Sequence, residues 1–507
     1  MSNENNWIPA TIGDLAQYIN GRAFKPTEWK SEGKPIIRIQ NLNKHSAPYN
    51  CSPLEYDDKY LVEFGDLLFA WSASLGAYIW HGSDAWLNQH IFKVVPFTGI
   101  DKGYVYYLLQ YITSQLYAKS HGSGMVHITK GKFEATKTLL PPTNEQHRIV
   151  SKVEELFSEI DKGVESLKTA KAQLQVYRQA LLKHAFEGKL TEQWRKDNPD
   201  KVTPATELLE QIKQAREQRY QQQLSEWEVN GRQGNKPKAL KIFPPLPLEK
   251  LAELPKLPEE WSWVRPEEIC FPEPYSIGIG PFGSNLKVSD YRDSGVPLVF
   301  VKNITRSDFS LNLKFIDNIK YNELIPHSVK PLDLLITKMG DPPGDCEIYP
   351  ENAPIAVLTA DCLKFRVWDK FADRKIYKFC INSNIVKRQL RLITKGVAQK
   401  KISVERFKTI CLPIFSIEEQ KLLAQKLESR LSIADQLDQI ITTALQQTNT
   451  LKQSILKKAF SGQLVEQDPN DEPASELLER IKAEKLALEA VAKLAKAATK
   501  KRKAKTA

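Results

Sequence analysis

Short segments recur in this chain, in the same order, and that duplication constrains the fold more than any other feature. Residues 180–190 read ALLKHAFEGKL and residues 454–464 read SILKKAFSGQL, with six identities in eleven. Residues 204–213 (PATELLEQIK) and 473–482 (PASELLERIK) share eight of ten. The first offset, 274 positions, also lays Asn144-Glu145-Gln146 on Glu418-Glu419-Gln420, so the 43 residues Gln146 to Gly188 match Gln420 to Gly462 without a gap. Upstream the match weakens but keeps its order. Gly33 to Leu42 parallels Gly295 to Ile304, Gly65-Asp-Leu-Leu68 parallels Leu332-Asp-Leu-Leu335, and Ile128-Thr129 with Phe133 parallels Ile402-Ser403 with Phe407. Such a period marks two copies of one structural unit. Each copy is a divergent head followed by a better-matched segment.

The better-matched segments read as long helices. Val153, Ile160, Leu167, Leu174 and Leu181 recur every seven residues, with Phe157, Val164 and Ala185 between them. Leu427, Leu431, Ile441, Leu445, Ile455 and Ala459 fall at equivalent places in the second copy, diluted by Asp438, Thr448 and Lys452. A period near 3.5 is a helix-pairing seam, and Gly188 and Gly462 stand where C-caps belong. Glu145, Glu419 and the glutamines beside them suit the N-caps. Two copies of one unit pair most economically about a twofold axis, which sets their helices antiparallel. Forty-three helical residues would span roughly 65 Å.

The heads read as mixed and strand-rich. Short β-type runs (Pro35–Ile39, Leu67–Ala70, Pro297–Val301, Leu334–Thr337) lie between Gly, Pro and Asn turn signals, and a helical pattern at Tyr104–Ala118 interrupts the first. The expected class is α+β: two strand-rich heads joined by two long antiparallel helices with pseudo-twofold symmetry. The expected divisions are a first head at 1–140, a scaffold helix at 141–190, a connector at 191–258, a second head at 259–412, a distal scaffold helix at 413–464, and a C-terminal helix with a basic tail at 465–507. Within the connector, a polar helix (Thr206–Glu228) leads into a stretch with six prolines between Pro237 and Pro258, stiff and outside any core.

The net charge of +11 argues for less than its size suggests. Nine Lys/Arg against two Glu lie between Lys482 and Ala507, so most of it sits in a tail of general nucleic-acid affinity. No run of about 18 apolar residues occurs, and the opening MSNENNWIPATIGDL is not a signal peptide; a cytoplasmic protein is expected. The six cysteines are widely spaced with no CxxC pair, which reads as reduced, mostly buried thiols and no zinc.

Enzymatic readings find little support. The nearest approach to a base-methylating tetrad is Asp341-Pro342-Pro343-Gly344, whose terminal glycine cannot stack on a flipped base. Gly278-Ile-Gly-Pro-Phe-Gly283 matches GxGxxG, but Pro281 interrupts it and no amphipathic helix follows. No GxxxxGK[ST] is present, acid-x-Lys triplets (Glu32-Gly33-Lys34, Asp57-Asp58-Lys59) arise readily by chance, and the eight histidines show no metal spacing. His121 and His127 bracket a turn and could touch phosphate.

Taken in order, LPPTNEQHRIVSKVEELFSEID (140–161) and ALLKHAFEGKLTEQWR (180–195), with LPIFSIEEQKLLAQKLESRL (412–431) and SILKKAFSGQL, resemble the specificity subunits of type I restriction-modification systems. INGRAFKPTEW (19–29), PEEWSWV (258–264) and GIGPFGSNL (278–286) are similar to the openings of that family's target-recognition domains. The long 196–258 connector and the basic tail depart from the family's compact pattern. The resemblance implies that each head binds one half of a split double-stranded DNA site. It also implies that the helical regions dock two modification (methyltransferase) subunits, and that restriction (motor-nuclease) subunits join them. S-adenosylmethionine, ATP and Mg would then serve those partners, and this chain would bind no cofactor or metal and hold no catalytic residue. A DNA-binding or coiled-coil scaffold without catalytic partners is the alternative.

Base readout needs exposed donors and acceptors. The candidates in the first head are Arg22, Lys25, Arg38, Gln40, Asn41 and Asn43; in the second, Ser284, Asn285, Lys287, Lys302, Asn303 and Arg306. Asn41 and Asn303 could equally be turn-forming asparagines. Lys130, Lys132, Lys400 and Lys401, just ahead of the scaffold helices, suit phosphate contacts. Trp71, Trp80 and Trp86 read as core.

Overall fold

The computed structural model describes residues 6–44, 46–72, 74–119, 129–239, 241–340, 343–394 and 401–505. The first head runs through β1 (Ile8–Thr11), α1 (Ile12–Leu15), β2 (Ala16–Asn20), β3 (Lys34–Ile37), α2 (Ile39–Asn43), β4 (Asn50–Ser52), β5 (Leu61–Val62), β6 (Leu67–Ala70), β7 (Gly76–Ile79), β8 (Ala85–Leu87), β9 (Ile91–Pro96), α3 (Lys102–Lys119), α4 (Lys130–Glu134) and β10 (Lys137–Leu140). Then come α5 (Thr143–Phe186), α6 (Glu192–Asp197), α7 (Ala205–Val229) and α8 (Leu248–Ala252). The second head comprises β11 (Ser262–Val264), α9 (Pro266–Ile269), β12 (Ile277–Ile279), β13 (Val296–Val299), α10 (Val301–Thr305), β14 (Phe315–Ile316), α11 (Asn318–Glu323), β15 (Ser328–Val329), β16 (Leu334–Thr337), β17 (Cys346–Ile348), β18 (Ala356–Leu358), β19 (Cys362–Phe365), α12 (Arg374–Asn382), α13 (Asn384–Ile393), α14 (Val404–Phe407) and β20 (Leu412–Ile414). The helices α15 (Ile417–Ala459) and α16 (Ala474–Lys505) follow. The fold class is α+β, as expected.

The duplication reaches through both heads. Each has one sheet ordered β2-β9-β6-β7 or β12-β19-β16-β17, and a second ordered β4-β3-β8-β5 or β14-β13-β18-β15. In both heads the second sheet contains one parallel pairing, β3 with β8 and β13 with β18. A two-stranded ribbon, β1-β10 or β11-β20, ties each head's first strand to the strand that precedes its long helix. Where sequence identity has faded, the topology has not. The single helix α3 of the first head is matched by two in the second, broken at Ser383.

The chain divides into two compact units, one of residues 1–169 and 441–507, the other of residues 170–440. In the first, Ile455, Leu456, Ala459 and Phe460 of α15 and Leu477 and Ile481 of α16 share a core with Leu15, Tyr104, Phe133 and Val153. In the second, Leu181, Ala185 and Phe186 of α5 and Ala205, Leu208 and Ile212 of α7 share one with Trp261, Phe365, Phe407 and Leu427. Each unit therefore takes the end of the other copy's long helix. The helices run antiparallel within each unit. Lys452 meets Asp161 in the first, and Lys171 and Arg178 meet Asp438 and Asp435 in the second. Every seam residue (Val153, Phe157, Ile160, Val164, Leu167, Leu174, Leu181, Leu427, Leu431, Ile441, Leu445, Ile455) is buried or half-buried.

Both long helices end in a left-handed glycine, Gly188 at φ 72° and Gly462 at φ 71°. The amides of Lys189 and Gln463 reach back to the carbonyls of His184 and Lys458, the doubly bonded terminus that such a glycine permits.

The N-terminal third of α7 is core, and the proline-rich stretch, none of its prolines buried, is fastened to the second head, Arg265 donating to the carbonyls of Pro244 and Pro245 and the Trp263 indole to Pro255. One expectation needs correction. The Glu-Gln pairs do not cap the helices. Gln146 accepts from the amide of Asp101 and donates to Pro141; Gln420 accepts from Asp373 and donates to Phe371 and Phe415. These buried amides bolt each long helix to its own head, because the backbone groups they satisfy have no water to turn to.

Candidate nucleic-acid interface

In each head several chain reversals gather at one edge of the larger sheet. Asn20 opposite Phe92, Ala70 opposite Ile91 and Ala70 opposite Gly76 bring the end of β2, the start of β9 and the β6–β7 loop together. The parallel pairing of Ile37 with Leu87 adds the β3–α2 junction. The second head repeats this with Ile279 opposite Leu363, Thr337 opposite Cys362, and Val299 beside Leu358. Loops on a rigid scaffold can vary without disturbing a core, which makes such an edge the natural seat for recognition.

The sequence candidates divide once placed. Arg22 lies at the edge, its amide on the Leu87 carbonyl, but its guanidinium pairs with Glu28 at 2.7 Å and lies 4.1 Å from the Tyr56 ring centre. The bond to Glu28 raises the guanidinium pKa further and holds the Glu28 carboxyl below its usual range. Ser284 and Asn285 are exposed on the corresponding loop of the second head, and Lys25 and Lys287 are exposed just after these loops. Lys401 also belongs to the edge, bridging to Met339 and 3.7 Å from Asp361. Lys130 donates to the Tyr18 carbonyl and faces Glu134 at 3.6 Å, while Lys132 is exposed. Lys400, His121 and His127, with Asp341-Pro342 of the tetrad, lie outside the described residues.

At the strand–helix junctions, Asn41 and Asn303 are buried and occupied by their own loops. Their Oδ1 atoms accept from the amides of Arg38 and Phe300, and their Nδ2 groups donate to Ala47 and Pro48, or Asp308 and Leu311. That is the work of a turn asparagine. Arg38 lies over Trp29, Gln40 donates to Pro48, and Asn43 accepts from the Tyr78 hydroxyl. Lys302, beside Phe300, and Arg306 are exposed.

Sequence reasoning passed over other edge residues. The β8–β9 turn carries Gln89 and His90, with Trp71 tilted against His90 at 5.5 Å between ring centres. Trp80 and Trp86 are core as expected; Trp71 is half-buried at the edge. In the second head, Lys338 donates to the Ala360 carbonyl. The loop from Gly280 to Lys287 is three residues longer than its counterpart from Gly21 to Lys25 and carries Phe282, 71% exposed, where Phe24 of the first head is buried. Only the unequal loop lengths could have flagged any of these.

The GxGxxG run is strand β12 followed by an open loop, with no helix to seat a pyrophosphate. All six cysteines are free thiols, four of them buried. Among the described residues no group of His, Cys, Asp and Glu could hold a metal ion, and no helix is long and apolar enough to cross a membrane.

Residues 4–169 match the model of the type I restriction modification DNA specificity domain. The chain is 26% identical over 500 residues to the type I restriction enzyme EcoBI specificity subunit of Escherichia coli, covering 96% of this chain and 94% of that one. It is 23% identical over 525 residues to the EcoKI specificity subunit of Escherichia coli K12, covering 95% and 96%. A solved chain from a study of complex assembly and conformational transition in a type I R-M system superposes with a TM-score of 0.62 at 18% identity, over 90% of this chain and 98% of that one. With one head built twice and matches running nearly end to end, the chain is similar over almost its whole length to type I restriction-modification specificity subunits.

Proposed function

We propose that this chain is the sequence-reading subunit of a type I restriction-modification assembly, each head recognising one half of a split double-stranded DNA site. The observation that carries the reading is the pairing of identical topology with non-identical edge chemistry in the two heads. A constant frame carrying different side chains is what two different recognitions require. Exposed lysines beside the edges, among them Lys25 and Lys287, suit phosphates flanking the bases.

The subunit directs chemistry without a catalytic centre of its own. In this reading two modification subunits use S-adenosylmethionine to methylate adenine, restriction subunits use ATP and Mg to move along and cut DNA, and the assembly works in the cytoplasm. The long helices present their outward faces, where Val176, Ile433, Leu437 and Ile440 are exposed, to those partners. Reconstitution with a modification subunit tests the reading. Methyl-adenine confined to one split sequence is expected; methylation that is absent, or indifferent to sequence, would overturn it.

A further inference from the structure

We infer that Gln89, on the turn between β8 and β9, reads an adenine edge in the half-site of the first head, with His90 and Trp71 positioning it. The inference rests on the DNA-reading function proposed above and assigns part of it to a named side chain.

The backbone of this turn is the same in both heads. Gly21 and Gly280 donate to the carbonyls of Ile91 and Cys362, whose own amides return to the carbonyls of Asn88 and Thr359. A Cβ on Gly21 would stand 2.1 Å from the Asn88 oxygen, and one on Gly280 2.0 Å from the Thr359 oxygen. Neither turn can shift against its neighbour. On this fixed frame the first head places Asn88-Gln89-His90 and the second Thr359-Ala360-Asp361. The frame is held and its side chains are exchanged, as a readout position demands.

The chemistry of the first turn is unfinished. Gln89 Nε2 lies 3.3 Å from His90 Nε2. Gln89 Oε1 and His90 Nδ1 are shielded from solvent with no hydrogen-bond partner among the described residues. Turning the amide over does not help: its oxygen would then accept from the ring, leaving the amide nitrogen and Nδ1 unmatched instead. Buried polar groups are normally satisfied, so a pair left open at a loop edge asks for an external partner. Both side chains are half-buried, so each keeps a path to solvent. A carboxamide offers one donor and one acceptor at the spacing of adenine N6 and N7. Ala360, at the same place in the second head, offers neither.

The test uses the subunit assembled with its modification partner. The methylated motif of the wild-type assembly is first read by sequencing. Binding is then measured to duplexes in which each recognised base pair is changed in turn. A bidentate contact discriminates by about 5- to 150-fold. In Gln89→Ala the penalty at one A·T pair of one half-site should fall to about twofold or less, with all other penalties retained. The inference is overturned if every penalty persists, or if all fall together as they would for a merely structural residue. A wild-type assembly with no sequence preference would instead defeat the DNA-reading function itself.

Discussion

Glu419 offers the most demanding test of how the second unit is held together. Its carboxylate is fully buried and accepts from Thr191 Oγ1 at 2.5 Å, from the Trp261 indole at 3.0 Å and from the Arg195 guanidinium. Arg195 is itself only 9% exposed. Glu419→Ala leaves that guanidinium only Glu260, 3.8 Å away and 42% exposed, as a counter-charge, a loss of about 3–5 kcal/mol for a broken buried pair. The orphaned indole N–H adds about 1 kcal/mol or more. Arg195 keeps its bonds to the Gly188 carbonyl and to Thr191, which softens the charge penalty. A net loss of about 4–5 kcal/mol is expected, a large part of the stability of an ordinary domain. Urea denaturation followed by circular dichroism measures it. The control is Glu419→Leu with Arg195→Met, which removes both charges and should recover most of the loss, since apolar groups of similar volume replace buried ion pairs at little cost. A single-variant loss under about 1 kcal/mol, or a double variant worse than the single, would refute the argument.

Other outcomes follow from the same geometry. Gly188→Ala should cost more than the ~1 kcal/mol of a left-handed C-cap, because its Cβ would also meet Pro258 Cγ at 2.3 Å; a loss under about 1 kcal/mol by thermal melting would contradict this. Burial lowers the Lys364 pKa to about 8, so between pH 8 and about 10.4 the unfolded chain binds the extra proton and stability rises with pH. Below pH 8 the penalty is fully present, and wild type should therefore gain on Lys364→Met as pH climbs from 8 to 10; parallel stability curves would exclude it. Truncation after Val491 should leave the melting temperature unchanged while flattening the salt dependence of non-specific DNA binding, whereas truncation before Pro473 strips Leu477 and Ile481 from the first unit and should lower its stability. Equal melting of the two truncations would refute that division.

Much of the architecture was legible because duplication and periodicity are local signals. The seven-residue recurrence from Val153 to Leu181 marked a helix, and Gly188 and Gly462 marked its ends. The strand-bearing segments were visible in runs such as Leu67–Ala70. Sheet order was not, since the parallel partners Ile36 and Trp86 stand far apart in sequence with nothing local to join them. The role of Glu419 was misjudged for the same reason: a capping residue is recognised from its neighbours, but the groups that claim this carboxylate come from Thr191, Arg195 and Trp261. At the candidate interface, residue type alone nominated Asn41 and Asn303, whose amides are spent internally, and passed over Gln89, whose amide oxygen is not.

The exchange of helix ends between the copies has a consequence in time. When the second head is made, α7 and the end of α5 are already on hand to complete its core. The first head is synthesised early, yet Leu456, Phe460, Leu477 and Ile481, which share its core, are made only after the whole second head. At about 5–20 residues per second, translation separates Tyr104 from Leu456 by roughly 20–70 s. Throughout that interval the apolar surface around Tyr104 and Val153 waits for its cover. A ribosome that stops before α16 leaves the first head open while the second is finished, so only a chain translated through Ile481 can present both heads closed.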